Sequence, residues 1–226
     1  SHRSCEASRR NWRYCARNKK SQKMIIVIIG PPASGKGTQA EKISKKFGMK
    51  HISTGDIFRK VDDKEISEYL VSGKLLPDEL VFKYVKEEID DVQNFILDGF
   101  PRNLNQAKML DEFLKQKGKE IDHVIYLKVP DDVVIKRIVS RRICEKCGKN
   151  YNLLSNPPPK DNRCECGGKI IQREDDKKEV AETRLKIFKK ITQPVLDYYI
   201  DKLIVVDGTK DVESVFKDIC KMLNFN

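Results

Sequence analysis

Nine consecutive residues offer the first chemistry: Gly30-Pro31-Pro32-Ala33-Ser34-Gly35-Lys36-Gly37-Thr38. They follow the apolar run Ile25 to Ile29 and open a stretch with helical spacing, the context in which a GxxxxGK[ST]-like loop cradles a polyphosphate. Glycine at 30, 35 and 37 lets an anion approach without meeting a Cβ, amides at the helix start point inward, and Lys36 adds charge for the β and γ phosphates. The order Gly-Lys-Gly-Thr puts Thr38 one place beyond the usual hydroxyl, so its direct bond to magnesium is less assured. Such a loop serves switches, motors and transferases. No guanine-reading Asn-Lys-x-Asp follows a later strand, which argues against a GTPase switch.

Four thiols form a second set. Cys144-Glu145-Lys146-Cys147 and, after 16 intervening residues, Cys164-Glu165-Cys166 lie in a segment rich in Gly and Pro and poor in aliphatics. Four thiolates around a tetrahedral zinc would supply the folding energy that this segment lacks. A disulfide or free thiols are the other states open to it. Catalytic zinc is not expected, because four protein ligands leave no position for water. A single residue separates Cys164 from Cys166, a tight chelate loop expected to strain or weaken the site. Cys5, Cys15 and Cys220 have no partner pattern.

Elements must hold these sets in place. Apolar runs at Ile25 to Ile29, Phe95 to Leu97, Val124 to Val129 and Leu203 to Val206 read as strands of a parallel sheet buried on both faces. Apolar residues at three-to-four spacing predict helices over Thr38 to Phe47, Asp78 to Ile89, Asn105 to Lys117, Asp131 to Arg141, Lys177 to Tyr199 and Asp211 to Leu223. Two stretches break the alternation: about 59–77, a small helical insertion, and about 143–173, without helical period. The class is α/β.

The chain has 226 residues, 39% of them hydrophobic, enough for a core and against disorder. No apolar run reaches the roughly 18 residues of a membrane helix. The charge of +11 is unevenly placed: eight basic residues and the lone Glu6 give residues 1–23 a net +7, leaving +4 for the rest. That first segment reads as a disordered basic leader, tag or extension. The lack of a secretory apolar core, with the cysteine usage, points to a cytoplasmic setting, or an organellar one if the leader is a transit segment.

Taken together, Gly30 to Ala40, Ile52-Ser53-Thr54-Gly55-Asp56, Leu97-Asp98-Gly99-Phe100-Pro101-Arg102, Arg141-Arg142 and Asp207-Gly208-Thr209 closely resemble the adenylate kinase family, from Met24 to about Leu223. The resemblance implies a five-stranded P-loop sheet flanked by helices. Its core would take in 24–53, 83–141 and 175–226, with a helical monophosphate-binding insertion at about 54–82 and a zinc-ribbon-like lid at about 142–174. It implies a monomer that moves the γ-phosphoryl group of ATP to AMP, giving two ADP, with Mg2+, and with structural zinc on Cys144, Cys147, Cys164 and Cys166. Phosphoryl transfer asks little covalent work of a protein, so alignment and positive charge must supply the rate.

The resemblance assigns catalytic roles to Lys36, Arg102, Arg141, Arg173 and Arg184. Arginine suits them because its planar fork binds phosphate oxygens in pairs and keeps its charge. ATP would meet Gly30, Ala33, Ser34, Gly35, Lys36, Gly37, Thr38, Arg137, Arg141, Asn150, Tyr151 and Lys210, with Arg137 stacked on the adenine from a helix face one turn before Arg141. AMP would meet Thr54, Arg59, Lys74, Leu75, Leu76, Gly99, Phe100, Pro101, Arg102, Gln106, Arg173 and Arg184, with the amide of Gln106 reading an adenine edge. Asp98 would hold magnesium through water, and Asp175 and Asp176 would be lid-hinge acids.

Two departures bear on function. One is the short spacing of Cys164 and Cys166. The other is the 13 residues between Arg59 and Gly73, several fewer than the family's acceptor insertion, which must shorten its helix pair and leaves the acceptor's identity less secure. Rival readings are a kinase for another nucleoside monophosphate, or a zinc-ribbon protein that binds nucleic acid. The second is weakly supported, since Tyr151 is the only aromatic residue among the lid's basic ones.

Overall fold

The computed structural model describes residues 23–224, so the expected leader lies outside the described residues apart from Lys23. The parallel sheet has the order β2-β3-β1-β4-β8, built from β1 (Ile25–Ile29), β2 (Lys50–Ser53), β3 (Phe95–Asp98), β4 (His123–Lys128) and β8 (Leu203–Asp207). Every residue of β1 is buried, as a central strand covered on both faces requires. Ile25, Val27 and Ile29 face one core with Phe95, Leu97 and residues of α4 (Asp78–Ile89) and α5 (Leu104–Gln116). Ile26 and Ile28 face the other, against Ala40 and Ile43 of α1 (Lys36–Phe47) and Val215 and Ile219 of α9 (Val212–Met222).

Strand β2 escaped the apolar-run criterion because it is polar and lies at the sheet edge, with only Ile52 buried. It pairs with β3 from Lys50↔Phe95 to Ser53↔Asp98. Two expected helices also differ. The helix expected over Asp131 to Arg141 ends as α6 (Asp131–Val139), and Arg141 instead opens β5 (Arg141–Cys144), paired with Asn152 of β6 (Asn150–Asn152). The helix expected over Lys177 to Tyr199 divides into α7 (Lys178–Ile187), a π turn over Phe188–Thr192 and α8 (Pro194–Tyr198). Pro194 has no amide hydrogen to continue the ladder, and the Gln193 amide bonds five residues back to Phe188 O at 2.8 Å.

Two lobes leave this core. One lobe is α2 (Thr54–Lys60) and α3 (Lys64–Ser72), capped by the side chains of Ser53 and Asp63. The helices have 7 and 9 residues, the short pair that the spacing demanded. The other lobe is an antiparallel sheet of order β6-β5-β7, with β7 at Ile170–Ile171. Its small interior is Cys144, Tyr151, Cys164 and Ile170. The lobe is carried between α6 and α7, which pack through Val134, Ile138, Ala181 and Leu185.

Candidate active site

The loop between β1 and α1 turns through Gly35, which caps the helix at φ 98°, a conformation that costs glycine nothing. A Cβ on Gly30 would lie 2.6 Å from Ser34 Oγ, and one on Gly37 would lie 3.3 Å from Asp98 Oδ2, so both glycines permit close approach. Lys36 folds back, its Nζ donating to Gly30 O and Pro31 O at 2.9 Å each. Burial lowers its ammonium to about 8, Arg102, Arg184 and Arg141 push the same way, and Asp98 opposes them. Ser34 Oγ is buried without a hydrogen-bond partner. A loop with an unsatisfied hydroxyl and a buried, destabilised cation is built for an anion.

Asp98 ends β3 beside this loop. Burial pushes its carboxyl up, but His51, Lys36 and Arg102 outweigh that and hold it below the usual carboxylate range. His51 Nε2 stands 3.8 Å from Asp98 Oδ2, and sequence reasoning missed it because its edge strand gave no apolar signal. An ionised carboxylate at a strand's C-terminal end, next to a phosphate loop, is an oxygen donor of the type magnesium takes through its waters.

Two clefts meet beside Asp98. One, of about 530 Å³, runs from Gly30, Pro32 and Lys36 past Gly99, Pro101 and Arg102 to Arg184. The other, of about 380 Å³, is bordered by Thr54, Phe58, Lys74, Leu75, Leu76, Gly99, Arg102 and Gln106. Leu75, Gly99 and Arg102 border both, so the clefts adjoin. Gly99 sits at φ +84°, where an added Cβ would lie 2.6 Å from Thr54 Oγ1. Its carbonyl accepts from Thr54 Oγ1 at 3.0 Å and from Arg102 Nε at 2.8 Å. The Phe100 side chain is buried and stacked on Phe82 at 6.2 Å, where it supports the cleft from within the core.

The expected arginines gather around this junction. Arg141 donates through Nε and Nη2 to the fully buried Asp176, with Nε to Oδ2 at 2.8 Å, and the carboxylate outweighs burial to raise its pKa. Arg184 Nη1 reaches Asp175 Oδ2 at 2.9 Å and Asp176 Oδ1 at 3.5 Å, and burial lowers its pKa to about 10. Arg173 is lowered to about 10 by burial and by repulsion from Arg141 and Arg59. Its Nη2 donates to Asn150 Oδ1 at 3.3 Å, and its Nε is buried without a partner. Arg59 is half-exposed and paired with Asp56 at 3.1 Å. These cations repel one another, and a polyanion between them would relieve the repulsion.

The expected adenine-side residues are only partly together. Arg137 donates to Gly208 O at 2.7 Å and Thr209 O at 3.2 Å, next to Lys210, whose Nζ pairs with Asp218 at 2.7 Å. The Tyr151 side chain is buried within the small β lobe, where its hydroxyl donates to Cys164 Sγ at 3.2 Å.

The four lid sulfurs lie within 4.8 Å of one another, with Cys144 to Cys166 at 3.4 Å and Cys147 to Cys164 at 3.6 Å. A tetrahedral zinc with Zn–S bonds of about 2.3 Å needs sulfurs about 3.8 Å apart, so the set fits. It also exceeds the roughly 2.05 Å of a disulfide bond, and all four are free cysteines. The single-residue spacing is accommodated by glycine. Gly167 takes φ +79°, and a Cβ on Gly168 would lie 2.6 Å from Cys144 Sγ. The Tyr151 hydroxyl, ahead of the Cys166 amide, draws the Cys164 thiol well below its ordinary pKa, whereas at Cys147 the Lys149 amide is outweighed by the neighbouring thiols and burial, which push the thiol up to about 12.

Comparison with known proteins agrees with this geometry. The family model described as Adenylate kinase matches residues 28–204. A protein named Adenylate kinase from Archaeoglobus fulgidus is 48% identical over 208 residues, 87% of this chain and 96% of its own. Others of that name from Clostridium perfringens and Thermosipho melanesiensis are 43% and 45% identical, each over 88% of this chain and 98% and 99% of their own. The lid cysteines therefore sit within a chain related to these enzymes along most of its length, and the nucleic-acid reading is not favoured. The chain belongs to the adenylate kinase family.

Proposed function

We propose that the chain catalyses ATP + AMP ⇌ 2 ADP, with ATP on the loop from Gly30 to Thr38 and AMP in the cleft of Thr54, Leu75, Arg102 and Gln106. The observation that carries this reading is the adjoining of the two clefts at Arg102, with Lys36 and Arg184 lining the first of them. Lys36 and Arg102 would neutralise the phosphates of donor and acceptor, and Arg141, Arg173 and Arg184 would reach the transferring group as the lid closes. Closure would exclude water and protect the phosphoryl group from hydrolysis. Asp98 would hold magnesium through water, where the ion would supply positive charge to the donor phosphates. Structural zinc on the four cysteines would hold the lid's shape. Thiolates kept for a metal suit a reducing compartment such as the cytoplasm, and among the described residues no helix is long and apolar enough to cross a membrane.

The test is ADP formation from ATP with AMP, UMP, CMP and GMP in turn. Turnover with AMP is expected; turnover with another monophosphate and none with AMP would overturn the acceptor assignment. Lys36→Met should abolish nearly all activity, and an active variant would remove Lys36 from the mechanism.

A further inference from the structure

Gln106 lines the acceptor cleft and is almost wholly buried, yet its amide is held at both ends from within the protein. Its Oε1 accepts from the Arg102 backbone N–H at 2.8 Å. Its Nε2 donates to Asp78 Oδ1, also at 2.8 Å. Asp78 itself does not border the cleft. It sits at the start of α4 and accepts two further N–H groups at 2.8 Å, from Asn103 to Oδ1 and from Asn105 to Oδ2. Asn103 in turn caps α5, its Oδ1 accepting from the Gln106 backbone N–H at 2.8 Å.

We infer that Asp78 is a positioning residue that sets the base specificity of the acceptor site by fixing which end of the Gln106 amide is the donor. The inference rests on the reading of this cleft as the monophosphate site. An ionised carboxylate only accepts and a backbone N–H only donates. Rotating the Gln106 amide by half a turn would set Oε1 against Asp78 and Nε2 against the Arg102 N–H, two unfavourable pairings in a buried place. In the fixed orientation one N–H of Nε2 and one lone pair of Oε1 remain, in a set order. Adenine presents a complementary edge, the N1 acceptor beside the N6 amino donor. Hypoxanthine presents the reverse, an N1–H donor beside the O6 acceptor. A freely rotating amide could serve either base; a locked one serves adenine.

A purely structural Asp78, tying α4 to α5, would lower stability and weaken all acceptors alike. The distinguishing readout is the ratio of kcat/KM for AMP to that for IMP, measured at saturating ATP on the full zinc-loaded chain. Asp78→Ala should lower this ratio about tenfold, mainly through KM, because the Arg102 N–H alone then penalises the reversed edge. Asp78→Asn still offers an oxygen to Asn103 and Gln106 and should restore most of the ratio. Asp78→Ser, too short to reach Gln106, carries the expectation of Asp78→Ala should the alanine variant fail to fold. A ratio within about twofold of the original in the alanine or serine variant, whatever their melting temperatures, would overturn the inference. Gln106→Ala run in parallel separates the levels. A raised KM for AMP supports the acceptor cleft, and an unchanged one overturns the cleft reading and this inference with it.

Discussion

Removing the Asp176 carboxylate should destabilise the protein heavily, and nucleotide should give part of that stability back. Asp176 is fully buried, takes both arms of Arg141 and lies 3.5 Å from Arg184 Nη1. Asp176→Ala leaves Arg141, with its side chain 16% exposed, facing no carboxylate on that side. Breaking a buried ion pair by deleting one partner costs about 3–5 kcal/mol, most of it the uncompensated buried charge that remains. For a chain of this size, about 2–4 °C of melting temperature accompanies each kcal/mol, so the midpoint should fall by roughly 6–20 °C. Differential scanning calorimetry of the zinc-loaded protein measures the fall. Saturating ADP should narrow the gap between variant and parent, because its phosphates give Arg141 and Arg184 new anionic partners. Asp175→Ala is the comparison: its partner Arg184 retains the weaker contact with Asp176, so its loss should be smaller. A fall of under about 2 °C for Asp176→Ala, or a gap that ADP leaves unchanged, would refute the assignment of Asp176 as the anchor of the arginine cluster.

Three further outcomes are expected. With Lys36 lowered to about 8 by burial, the free enzyme loses this charge as pH rises through that value, so kcat/KM for ATP should drop about tenfold between pH 7 and 9. Lys36→Arg, charged throughout, should give a flat profile over that range if it turns over, and a parent profile flat to pH 9 would contradict the environment described for Lys36. Cys164→Ser should lower bound zinc measured by metal analysis and loosen the lid to proteolysis, while Tyr151→Phe should keep the metal with affinity about tenfold weaker by competition with a chelator. Gly99→Ala places a Cβ 2.6 Å from Thr54 Oγ1 at φ +84°, so it should cost about 1–2 kcal/mol and raise KM for AMP more than for ATP.

What the sequence disclosed follows what each residue's neighbours are along the chain. The runs at β1, β3, β4 and β8 were legible because a doubly covered parallel strand must be apolar at consecutive positions. Strand β2, half-exposed at the edge, needs only Ile52 inside and so carries no such mark. The phosphate loop and its lysine were legible because an anion cradle is one contiguous segment. Arg141 was legible as a cation but misplaced on a helix, since the periodicity of α6 runs up to the residue where pairing with the lid takes over.

Asp78 shows where such reading stops. In sequence it is one acid in the first turn of a helix, an ordinary electrostatic preference. Its bond to Gln106 spans 28 residues and exists because α4 and α5 pack together on the same face of the sheet. The cleft motif thus names the amide proposed to meet the base, whereas the fold decides which way that amide faces. Specificity of this kind resides in a residue that never touches the ligand. The shortened lobe of α2 and α3 sharpens the point: with less surface to close over the acceptor, discrimination must lean more on the fixed edge of Gln106. Lengthening that lobe should therefore strengthen acceptor binding without changing the order of preference between AMP and IMP, whereas Asp78→Ala should change the preference at either length. A longer lobe that alone reversed the preference would place specificity in closure and remove it from the amide.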